Sequence, residues 1–142
     1  MRFTYYIIIG MMIIISSCKP SPNLERHFSN INLDLPDEYK ILDFKSDWSI
    51  GESTENYRIL ISPSDYNKII EEIKEKTFFR KLDTARVPLY ALDNTTNLTK
   101  INETACWYDN KYFYQIFNPN PGILVTVELE SDSIMIIDYE DL

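Results

Sequence analysis

Few side chains in this 142-residue sequence could serve as nucleophile, base or metal ligand. There is one histidine, His27, and there are two cysteines, Cys18 and Cys106. A serine or cysteine nucleophile needs a base placed to take its proton, most often a histidine. No histidine follows position 27, so Ser-His-Asp and Cys-His arrangements are excluded from residues 36–142. A Ser-Lys pair stays open, although no S-x-x-K motif occurs there. Zinc chemistry needs clustered cysteine and histidine. Phosphate-cradling loops need glycines, and the chain has only Gly10, Gly51 and Gly122. No metal and no cofactor is expected.

Two groups of residues could still bind. After Lys111 come Glu128, Glu130, Asp132, Asp138, Glu140 and Asp141, with no basic residue among or after them. Paired carboxylates suffice for glycoside hydrolysis; they could also form a calcium site or a patch for a basic partner. The plainer reading is a solvated sheet face whose acids keep strand edges from pairing. No D-x-[DN]-x-[DN]-G loop supports calcium. The second group is aromatic: Trp107, Tyr108, Tyr112, Phe113, Tyr114 and Phe117. On paired strands such residues fall on both faces. They then either pack across strands or offer an interface, where Tyr and Trp are enriched. The candidate binding residues are Trp107, Tyr108, Tyr112, Tyr114, Glu128 and Glu130.

Composition narrows the partners. Lys plus Arg total 14 and Asp plus Glu total 22, a net charge of −8. That balance argues against nucleic acid, which requires a basic footprint to displace counterions. Apolar types make up 44% and charged types 25%, the proportions of a folded domain and not of a disordered tail. The length fits one domain.

The first eighteen residues are an address. Arg2 precedes Phe3-Thr4-Tyr5-Tyr6 and the apolar run 7–15. The run is too short to span a bilayer, which takes about 20 residues. A basic start, a short apolar core and small residues describe a secretory signal. Ile15-Ser16-Ser17-Cys18 resembles the lipobox of bacterial lipoproteins. The resemblance implies cleavage before Cys18 and acylation of that residue, hence attachment to the outer membrane or another envelope membrane through acyl chains on Cys18. Residues 1–17 are then the signal peptide, 18–35 the lipidated cysteine and tether, and 36–142 the domain. Lys19-Pro20-Ser21-Pro22-Asn23 suits an extended tether, on which an acidic domain should stand off the bilayer. Leu24, Phe28, Ile31, Leu33 and Leu35 would let part of 24–35 dock. His27 reads as a surface or tether histidine and not as a ligand or base. Cys106 lacks a partner cysteine and reads as a buried small hydrophobe.

The elements that must position these residues follow from pattern. Strands are predicted at 39–46 and 57–61, with a polar loop from Ser46 to Asn56 between them. Ser62, Pro63 and Asp65 open a helix with a capping pattern. Tyr66, Ile69, Ile70, Ile73 and Thr77/Phe78 give it one apolar stripe, and Arg80 and Lys81 suit its carbonyl end. Val87–Leu92 suggests an edge strand broken by Pro88. Thr104–Asp109 and Lys111–Phe117 can pair about Asp109-Asn110. Ile123 to Glu130 alternates with period 2, and Ile134–Tyr139 returns as the last strand. The expected fold is α+β, an antiparallel meander of order β-β-α-β-β-β with one amphipathic helix on one face. Ile41, Ile59, Ile61, Ile69, Ile73, Val125, Val127 and Ile136 are the expected core. Sequons occur at Asn94, Asn97 and Asn102, read as loop composition. Asp83-Thr84-Ala85 and Asp132-Ser133-Ile134 resemble the O-glycosylation acceptor of exported Bacteroidota proteins.

The functional expectation is a lipid-anchored, non-catalytic module of the cell envelope that binds another envelope protein. An immunity- or inhibitor-type lipoprotein facing a toxin or hydrolase is the first alternative. A carbohydrate-binding or paired-carboxylate accessory is the second.

Overall fold

A computed structural model describes residues 22–82, 100–131 and 133–142. The leader and Cys18, the segment Val87–Leu92, Asn94, Asn97, Asp83-Thr84-Ala85 and Asp132 lie outside the described residues. Among the described residues nine elements follow in chain order. They are α1 (Glu25–Phe28), β1 (Tyr39–Ser49), β2 (Glu52–Ile61), α2 (Pro63–Glu75), β3 (Phe79–Lys81), β4 (Asn102–Tyr108), β5 (Lys111–Asn118), β6 (Ile123–Leu129) and β7 (Ile134–Asp141). The fold is α+β and mostly sheet. The seven strands form one mixed sheet of order β1-β2-β7-β6-β5-β4-β3.

Several expectations change. The antiparallel meander with a single helix is not the architecture, because β3 runs parallel to β4 and a second, short helix precedes β1. The order β-β-α-β-β-β is two strands short after the helix. The predicted helix end is instead a strand: α2 stops at Glu75 and Phe79–Lys81 joins the sheet edge. Side-chain contacts to the neighbouring strands reward that change. Phe79 stacks on Tyr112 at 6.4 Å, and the Lys81 ammonium lies 4.6 Å from the Trp107 ring. The predicted loop 46–56 is instead the end of a long hairpin, with Ser46 opposite Glu55 and Ser49 opposite Glu52. Backbone ladders form regardless of side-chain polarity, so polar residues there mark an uncovered sheet end and not a loop.

Local signals explain the rest. The Ser62 side chain accepts from the Asp65 N–H at 3.0 Å, and Pro63 takes the first helical position. Asp109 and Asn110 both take positive φ, 48° and 62°, as a two-residue hairpin of the primed type requires. α2 buries Ile69, Ile70 and Ile73 against the sheet. Leu24, Ile31 and Leu33 join the same core, so the 24–35 segment docks on the sheet face that α2 covers. Of the expected core, Ile59, Ile61, Ile69, Ile73, Val125 and Val127 are buried. Ile41 is half-buried against the core. Ile136 is also half-buried, while its neighbours Met135 and Ile137 point inward, because adjacent strand residues face opposite ways.

Candidate functional site

The aromatic hairpin β4–β5 is mostly engaged internally. Tyr114 is 0% exposed and its hydroxyl donates to Glu103 Oε2 at 2.9 Å. Burial first, then Glu103, pushes that phenol well above its ordinary range. Tyr112 and Trp107 are half-buried, each beneath a lysine, Lys74 at 5.3 Å and Lys81 at 4.6 Å. Tyr108 lies edge-on to Phe113 on the opposite face. Trp107, Tyr108, Tyr112 and Tyr114 therefore do not form one open strip.

Glu128 and Glu130 do share a face, but the expectation that they lack a countercharge is wrong. Lys111 pairs with both, and Arg58 of β2 meets Glu130 at 3.0 Å. These cations sit 17 or more positions upstream, so linear spacing hides them. Asp138 takes a hydrogen bond from Asn56. Burial, then Asp138, raises the Glu140 carboxyl. Cys106 is buried and its thiol is pushed up by burial, as suits a packed hydrophobe.

The other end of the sheet brings together residues that linear reasoning kept apart. His27 is only 3% exposed, contrary to a surface or tether histidine. It stands over β2 and β7, with its ring 3.8 Å from that of Tyr139, centre to centre. The buried Glu55 side chain receives Arg26 and Tyr57, and its Oε2 lies 2.9 Å from His27 Nε2. Arg26 Nε, which can only donate, is 3.0 Å from the same nitrogen. Nε2 thus accepts from Arg26 in the neutral tautomer protonated at Nδ1, and donates to Glu55 when it carries the proton itself. Burial first, and Arg26 second, hold the imidazole down to about 4. Neutral histidine is the form present at neutral pH. The cluster works as a clasp for α1: an opposite charge and hydrogen bonds satisfy a carboxylate that would otherwise be costly to bury. A cleft of about 350 Å³ lies beside it, lined by Arg26, His27, Asn30, Ser53, Tyr139 and Asp141.

Next to this cleft the hairpin β1–β2 projects. Trp48 is 76% and Ile50 97% exposed. Gly51, at φ +87° with open space around it, closes the turn. A second cleft of about 210 Å³ lies among Asp47, Trp48, Ser49, Glu52 and Thr54. β1 is one of the two outermost strands, β3 being the other, and most of its side chains are exposed. Its N-terminal part carries a register shift between Ile41 and Asp43; Phe44 to Ser49 is regular. Sequence reasoning missed Trp48 and His27. The available signal for Trp48 was a large apolar side chain inside a polar stretch, since exposed apolar groups in a cluster mark contact surfaces. For His27 no local signal of burial existed, because apart from Arg26 its partners Glu55, Tyr57 and Tyr139 lie 28 and more positions away.

Among the described residues no three His, Cys, Asp or Glu side chains gather as a metal-holding group. No protein-family model matches this chain, and no curated protein or solved structure is significantly similar to it.

Proposed function

We propose that this protein is a lipid-anchored component of a bacterial cell envelope, held at the outer membrane by acyl chains on Cys18, and that it binds another envelope protein without catalysis. The observation that supports this reading is the open edge of the sheet. β1 offers eleven residues with a strand on one side only among the described residues. A free strand edge is a template for an extended segment of a partner, with backbone bonds supplying affinity. The bulge near Leu42, and Lys40 and Lys45, guard the edge against chance pairing, which leaves 46–49 as the stretch open to a specific partner.

A photocrosslinking residue at Ser46 tests this in living cells. The expected result is one discrete adduct at Ser46 and none from the same group at Asn67 on α2. Adducts at neither position overturn the binding reading. Anchoring is tested separately: Cys18→Ser should move the protein from the membrane to the soluble fraction. Retention in the membrane would count against lipidation.

The inhibitor-type alternative has one observation in its favour. Asp43, Asp47 and Glu52 are exposed along the projecting hairpin, as an acidic finger for a basic cleft would have them. Such a contact weakens steeply with salt, whereas strand pairing does not. Nothing in the site favours the carbohydrate reading, since Glu128 and Glu130 are held by Lys111 and Arg58.

A further inference from the structure

The tip of the β1–β2 hairpin carries two exposed large apolar side chains, Trp48 and Ile50, and Trp48 lies on the sheet face on which α1 docks. Residues alternate faces along a strand. Trp48 pairs with Ser53 across the hairpin, and Ser53, Glu55 and Tyr57 alternate with outward-facing neighbours. Trp48 therefore shares a face with Glu55 and Tyr57, the face on which α1 docks through Arg26 and His27. Ser53 itself lines the cleft against those two α1 residues. Arg26 and His27 of α1 and the base of the fingertip thus border one cleft.

We infer that Trp48 and Ile50 dip into the interface of the bilayer that carries the lipid anchor, so that the protein touches the membrane at two points. The inference rests on anchoring at Cys18. Leu24 is fully buried in the core, so only six residue steps separate the body from Cys18, a reach of at most ~20 Å. That reach is shorter than a free tether of 18 residues would allow, and it holds Leu24 and α1, which borders the cleft at the base of the tip, close to the lipid. Trp suits the membrane–water boundary, where its ring is partly buried and its N–H stays wet. Ile50, almost wholly exposed at the turn, enters deepest. Asp47 and Glu52 flank the tip and favour zwitterionic over anionic lipid, because like charges repel at the surface. With the tip down, β1 rises from the membrane and keeps its edge open to a partner.

The lipidated full-length chain, reconstituted in phosphatidylcholine vesicles, tests this. Trp48 and Trp107 are the two tryptophans. A Trp107→Phe protein reports Trp48 alone, and a Trp48→Phe protein reports Trp107 alone. Lipid carrying bromine in its acyl chains should cut Trp48 emission by about half, given insertion to ~5–10 Å, and leave Trp107 unchanged. Ile50→Glu should restore most of the lost emission, as should phosphatidylglycerol at low salt. Vesicle flotation run in parallel reports the anchor. A protein that floats while Trp48 keeps a water-like, unquenched emission overturns the membrane contact and leaves anchoring standing. A Trp48 emission that shifts to the blue without bromine quenching means a protein surface covers the tip, and also overturns it. A protein that fails to float overturns anchoring and this contact together.

Discussion

Two hairpins of this molecule, β4–β5 and β1–β2, make opposite use of their aromatic residues. β4–β5 is crowded with them, yet they are drawn into packing: Tyr114 is fully buried, Tyr112 lies under Lys74 and against Phe79, and Trp107 lies under Lys81. β1–β2 is sparser, and near its tip it leaves Trp48 and Ile50 in solvent. The difference is what lies above each. α2 and β3 sit over and beside β4–β5, whereas the β1–β2 hairpin outruns the layer made by α1 and α2. Aromatic density therefore points to stability in one hairpin, and aromatic exposure points to contact in the other.

The sharpest way to break this contrast is to truncate one aromatic residue in each hairpin. Tyr114→Ala should cost about 3–5 kcal/mol, as large aromatic-to-alanine changes in cores do, seen as a lower urea midpoint. An unchanged midpoint would mean that the β4–β5 aromatics do not form the core. Acid should loosen the N-terminal side next. His27 is held at about 4 when folded, against 6.5 in an unfolded chain, so between these values only the unfolded chain binds the proton. Stability should fall as pH drops from about 6.5 to about 4, by up to roughly 2–3 kcal/mol. His27→Gln should flatten that part of the profile, and a profile identical to wild type would remove the clasp from the account. Lys111→Ala should cost about 1 kcal/mol by leaving Glu128 and Glu130 to repel each other, with the loss shrinking in high salt. Trp48→Ala should change stability by less than ~0.5 kcal/mol, as surface substitutions do, measured on the same urea scale. A larger loss would show that Trp48 packs inside the molecule and is not a contact residue.

Much of the fold was legible where short-range chemistry decides. The Ser62-Pro63-Asp65 start of α2, the Asp109-Asn110 turn and the period-2 run from Ile123 all follow from backbone preferences within a few residues. The end of α2 was not legible, because Phe79 and Lys81 are drawn to partners on β4 and β5, about thirty positions downstream. Nor was the clasp, because Arg26 and His27 meet Glu55 only after β1 and β2 have folded back. The candidate site was the least legible part. Trp107, Tyr108, Tyr112 and Tyr114 were visible as aromatic residues, but exposure belongs to the layer above a strand and leaves no trace in the strand's own residue types.

By itself the amino-acid sequence determined the α+β class, the caps and turns, most of the core, and the poverty of nucleophiles and metal ligands. These depend on residue type and on spacing within about one turn or one strand. Tertiary structure alone decided the strand order, the burial of His27, the countercharges beneath Glu128 and Glu130, and the exposure of Trp48 and Ile50. Each of these requires two segments distant in the chain to meet, or fail to meet, in space. The same packing forces that buried one aromatic hairpin left the other standing clear.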